Sequence, residues 1–161
     1  MLDFGSYRRR ERSLPEIAAG LGRDDLRRLT AEMCDLQLEL IAGAQDADAT
    51  FVPDDPKADD RFAADQADSR LAWTLGHVVV HATASSEEAA AHALTLARGL
   101  PVLGRSRYEV PWQEARTAGF LRQRIAESRR MRLAMLDAWP DRPHLDSTYQ
   151  PNPDRPALNA V

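Results

Sequence analysis

Apolar residues recur at helical spacing in three long runs of this 161-residue chain. In the first run, Leu26, Leu29, Met33, Leu36 and Leu40 follow one another at three- and four-residue intervals. That spacing predicts an amphipathic helix from about Asp24 to Ala44 with the stripe facing a core. Asp24 and Asp25 suit its N-terminal end, where the helix dipole favours anions, and Gly43 is a reasonable stop. The second run predicts a helix from near Thr74 to near Arg98. Thr74 supplies a hydroxyl for the N-cap. Leu75, Val78, Val79, Ala82, Ala89, Ala93, Leu96 and Ala97 form the apolar set, and Gly99 followed by Pro101 closes it. The third helix is expected to open with Pro111 in its first turn and to run to about Ala138. Its apolar positions are Phe120, Leu121, Ile125, Met131, Met135, Leu136 and Trp139.

The segments between these runs carry breakers. Residues 1–22 form a leader segment with a basic cluster (Arg8, Arg9, Arg10 and Arg12), where Pro15 and Gly20 preclude a long helix. Residues 45–72 are a long connection rich in Asp, punctuated by Pro53 and Pro56. It lacks the Gly and Glu positions of an EF-hand loop, so a solvated acidic loop is expected. Residues 100–110 form a loop. Residues 140–161 hold five of the ten prolines and are expected to be an extended connector or tail. Leu158-Asn159-Ala160-Val161 has the character of the first residues of a further helix.

The expected fold is therefore all-α: a single domain, an up-down-type helical bundle of three clear long helices with a fourth missing or incomplete. Composition agrees, since aromatic residues are only 6% and β-branched residues are scarce. The net charge of −4 argues against nucleic acid as a partner. No apolar run approaches the roughly 20 residues of a membrane span, and the N-terminus has no secretory apolar core, so a cytoplasmic location is expected. Cys34 is the only cysteine. It lies off the main stripe of its helix, and a buried or half-buried inert thiol is expected there.

Candidate chemistry concentrates in the second helix, where His77, His81, Glu88 and His92 fall along one stripe. His77 and His81 are four apart and share a face, so two imidazoles could clamp one metal ion. Glu88 lies about 10 Å further along the axis by the standard rise, and His92 another turn on, so neither reaches the same ion. No nucleophile elbow, phosphate loop or dinucleotide-binding turn is present.

The stretch Trp73-Thr74-Leu75-Gly76-His77-Val78-Val79-Val80-His81 resembles the signature that opens the second helix of the DinB-like superfamily. These damage-inducible four-helix bundles include metal-dependent thiol transferases and the mycothiol-dependent maleylpyruvate isomerase. Ser128–Leu136, followed by Leu145-Asp146, resembles the third helix of that family and its connector, so the resemblance runs from about residue 24 to the end. It implies that His81, eight positions after Trp73, is one of three histidine ligands of a divalent metal, zinc or nickel. The other two belong to a His-x-x-x-His pair in a fourth helix. In this chain only His92 and His144 follow His81, which leaves His77 and His144 as the further candidate ligands and suggests a chain cut before its fourth helix. The implied function is a metal-dependent thiol transferase or hydrolase acting on a small electrophilic molecule, with a low-molecular-weight thiol as possible cosubstrate. The alternative is a non-catalytic stress-response or dimer-forming bundle with an incomplete metal site. An apolar face left by an absent helix would favour a homodimer.

Overall fold

A computed structural model describes residues 2–60, 63, 66–104, 110–151 and 157–160. Among them the architecture is all-helical. Two single-turn helices, α1 (Phe4–Arg8) and α2 (Leu14–Ala18), occupy the leader. Three long helices follow: α3 (Arg23–Leu40), α5 (Leu75–Ala97) and α6 (Ala118–Asp137), with the short α4 (Asp46–Thr50) between α3 and α5. No helix is long and apolar enough to cross a membrane.

The central element is α6, which packs against both α3 and α5. Arg27 meets Asp137, Cys34 meets Arg132 and Asp35 meets Arg129, so α3 and α6 run antiparallel. Gly76 lies against Ala115, Glu87 meets Arg124 and Arg98 meets the Ala138 carbonyl, so α5 and α6 run parallel. A parallel pair cannot be joined by a tight turn, and α6 starts again at the end of the bundle where α5 begins, with Ala115 beside Gly76. Near one end the core gathers Cys34, Ile41, Ala49, Val79, Val80, Leu121 and Ile125. At the other end Leu96, Ala97, Leu136, Trp139 and Ala160 form a second cluster.

Local signals set several boundaries where expected. The Thr74 hydroxyl accepts from the His77 amide and caps α5. At its far end Leu100 N–H reaches the Thr95 carbonyl and Gly99 N–H the Leu96 carbonyl, with Gly99 at φ +70°. That is a Schellman closure, and the left-handed conformation suits glycine.

Other expectations are corrected. The first helix ends at Leu40, and Gly43 has no left-handed φ. Arg122 of α6 instead donates to the carbonyls of Ile41 and Ala44, so the end of α3 is capped from across the core. Pro111 does not open the third helix. It precedes a separate 3-10 turn, Trp112–Glu114, and α6 begins after Thr117, whose hydroxyl accepts from the Phe120 amide. The Asp-rich connection is not wholly solvated loop, because it contains α4 with Ala49 fully buried. Asp46 reaches 72 residues along the chain to accept from the Ala118 amide at the start of α6. In the tail Leu158 pairs with Tyr149 in an isolated antiparallel bridge, so 157–160 do not start a helix.

The largest correction concerns α3. Past Leu26, which packs against the second core cluster, the leucine stripe does not form the core face of the helix. Met33, Leu36 and Leu40 are 40%, 37% and 75% exposed, whereas Cys34 and Ile41 are buried and Leu38 packs against them. At 3.6 residues per turn, the exposed stripe lies about 120° around the helix from that buried line. The cause is α6, which presents Arg122, Arg129 and Arg132 toward α3. The buried Arg132 guanidinium needs an acceptor, so α3 turns the Cys34 sulfur to it, and its terminal carbonyls to Arg122, rather than its leucines.

Candidate functional site

Thr74 fixes where α5 begins, and the helical repeat then places His77 and His81 one turn apart behind Trp73. The Trp73 indole stacks on the His77 imidazole with ring centres 4.2 Å apart and 21° between planes. It also touches the His81 ring at 4.8 Å with a 57° tilt. Trp112, on the 3-10 turn before α6, stacks on His77 at 5.4 Å and 11°. His77 is thus held between two indoles, half-buried, while His81 is exposed at the edge of the group with its Nε2 3.5 Å from the Ser85 hydroxyl.

Gly76 makes this stack possible. A Cβ there would lie 2.3 Å from the Ala115 carbonyl oxygen and 3.0 Å from that of Ala49. Only glycine lets the chain after Trp112 cross so close to α5. Two clefts border the aromatic group. Trp73 borders one of about 470 Å³, lined also by Asp55, Lys57, Asp59 and Asp60. Trp112 borders one of about 260 Å³, with Ala49, Val52 and Arg116.

The structure brings His77 and His81 together and separates the other candidates from them. His92 Nε2 lies 3.0 Å from the Gly104 carbonyl and 4.0 Å from a Glu88 oxygen, and its ring meets Tyr149 edge-on. His144 donates its backbone N–H to Ala97 and lays its ring on Gly99, at the far end of α5. Sixteen residues of helix separate Ala97 from His81, about 24 Å by the standard rise. Among the described residues no group of three or more His, Cys, Asp or Glu is gathered to hold a metal ion. A catalytic zinc site normally draws on three protein ligands. The two imidazoles here do not by themselves fit that requirement.

A second polar group lies deeper, between the helices. Glu87 is fully buried and paired with Arg124. The sign in the sequence that could have found it is its place seven residues after Val80, on the face that meets α6. Arg132 is also buried, donating to the Cys34 sulfur at 2.7 Å and to the Ser128 carbonyl at 3.4 Å. Burial pushes the Cys34 thiol above its ordinary pKa, against the opposing pull of the Arg132 cation. A neutral thiol behind a closed core is a poor nucleophile. Trp112 was missed as a site residue because its partner is 35 positions away, beyond any local periodicity. Comparison of the chain with known protein families, with curated proteins and with solved structures finds no match.

Proposed function

We propose that the chain is a DinB-like bundle that acts by self-association, as a dimer-forming protein, rather than through catalysis completed within its described residues. The observation that supports this is the exposed leucine stripe of α3, with Leu40 75% in solvent. Leaving the apolar strip of Met33, Leu36 and Leu40 in water is unfavourable by roughly 25 cal/mol per Å², and covering it with a second chain removes that cost. Sedimentation equilibrium over a wide concentration range tests the idea. A two-chain species is expected, and a concentration-independent monomer of 17.9 kDa would refute it.

A second reading, the metal-dependent thiol transferase or hydrolase, is favoured by the closeness of His77 and His81 around Trp73. It requires a third ligand from beyond the described residues, so no reaction step is derived from it. Zinc or nickel titration followed by metal analysis tests it. Stoichiometric binding lost in His81→Ala supports this reading, and binding that is absent or indifferent to that change sinks it.

A further inference from the structure

We propose that the cleft beside Trp112 binds a small organic monocarboxylate with an apolar body, and that Arg116 holds the carboxylate. The inference does not depend on self-association. The wall of the cleft is made by Ala49, Val52, Ala115 and the Trp112 indole, and Arg116 is the one charged residue among the described residues that line it. Its side chain is exposed, and no carboxylate among the described residues engages it. The arginines of α6 differ: Arg122, Arg124, Arg129 and Arg132 are each bonded to a neighbour within the bundle. The acids nearest to Arg116 along the chain leave it open. Glu114 is not part of the wall, and Asp46 accepts from the Ala118 amide instead.

The parallel course of α5 and α6 adds to the positive potential. Both helices begin at this end of the bundle, with the Thr74 N-cap of α5 in the wall and Arg116 one residue before the Thr117 N-cap of α6. Neither helix carries an acid in its first turn. Asp46 answers the α6 end, whereas the α5 end is met by the neutral Thr74 hydroxyl. The α5 dipole therefore favours an anion in the cleft, as a supplement to Arg116.

The lining also fixes the class of ligand. A guanidinium offers paired N–H donors in the geometry of a carboxylate, and Thr50 and Gln113 add a hydroxyl and an amide. A single cation suits a singly charged group better than a phosphate. The indole and the apolar side chains favour an uncharged body. The volume of about 260 Å³ lies just under the roughly 300–1,000 Å³ of sites for drug-sized molecules, so that body is about one ring or a short acyl chain. The cleft bordered by Trp73 sets Asp55, Asp59 and Asp60 against Lys57 alone, which turns an anion toward the Trp112 side.

The test follows the indole N–H resonances of the three tryptophans in the isotope-labelled full chain during titration with sodium benzoate. A chelator is present, so that no metal on His77 and His81 can hold the carboxylate. Trp112→Phe assigns the Trp112 signal, which should shift saturably. Benzamide keeps the ring and loses the charge; acetate keeps the charge and loses the ring. Each should bind at least about tenfold more weakly than benzoate. Arg116→Gln, with its fold checked by unchanged far-ultraviolet circular dichroism, should weaken benzoate binding at least about tenfold. Arg142→Gln, at an exposed arginine outside the cleft, should leave it unchanged. The proposal is overturned by a Trp112 signal that does not shift saturably, by equal affinity for benzamide or acetate, or by benzoate binding indifferent to Arg116→Gln.

Discussion

Replacing Gly76 by alanine gives a sharp test because two well-characterised effects oppose each other there. In an open helix, Gly→Ala stabilises by up to about 1 kcal/mol. At Gly76 the added methyl would sit 2.3 Å from the Ala115 carbonyl oxygen, 1.1 Å inside the 3.4 Å where ordinary contact begins. It would also meet the Ala49 carbonyl oxygen at 3.0 Å and the Ala115 Cβ at 3.1 Å. Two of these obstacles are backbone, on segments tied down by Asp46 and by the Trp112 stack, so neither rotates away cheaply. Overpacking of a filled site costs about 1–3 kcal/mol, and rigid obstacles place this case at the upper end. The expected net effect is a loss of about 2 kcal/mol. For a domain of this size that corresponds to a melting temperature lower by roughly 4–8 °C. Gly119, near the start of α6, is the control: a Cβ there meets nothing within 4 Å. Gly119→Ala should be neutral to stabilising by a few tenths of a kcal/mol. Urea unfolding of both variants, read by circular dichroism, decides the matter. If Gly76→Ala is as stable as the wild type, the close crossing that positions Trp112 against His77 is not real.

Two further outcomes are expected. Glu87→Ala strands the Arg124 guanidinium in the core and should cost about 3–5 kcal/mol in chemical denaturation, whereas Glu87→Met/Arg124→Leu should recover most of it; equal losses in both would contradict the buried pairing. Because burial raises the Cys34 pKa in the folded state, the folded chain holds the thiol proton more tightly than the unfolded chain does. The stability this represents is complete below the ordinary thiol range and is lost as pH rises through it, by at most about 1.4 kcal/mol per pH unit. The wild type should therefore lose stability faster than Cys34→Ala between pH 8 and 10, and identical slopes would refute the assignment.

What could be read in the sequence was local. Thr74 and Gly99 mark the ends of α5 because a hydroxyl cap and a left-handed turn need only their own residue and near neighbours. The three long helices were legible for the same reason. The facing of α3 was not. Its leucines make the stronger apolar stripe, but facing is settled by what the neighbour offers, and α6 offers guanidinium groups. Thr117 was overlooked in favour of Pro111 because both are good helix starters, and only the stacking of Trp112 on His77 makes the turn at 112–114 separate from α6. Asp46 looked like one more solvated acid, since its partner amide lies 72 residues away. At the candidate site, the helical repeat placed His77 beside His81. The second indole and the crossing at Gly76 come from another part of the chain and leave no periodic trace.

The parallel pairing of α5 with α6 also bears on how the chain acquires its structure during synthesis. The helix that both α3 and α5 pack against is the last of the three to be made. The ion pair between Arg27 and Asp137 closes over 110 residues, and contacts of such long range tend to slow folding. Until residues 118–137 have been made, α3 and α5 are helices without their main packing partner. Little of the hydrophobic core can form before then, so the usual order in which the N-terminal part settles first is not open to this bundle. Its core should assemble in one late step, and fragments ending before α6 should remain largely unfolded.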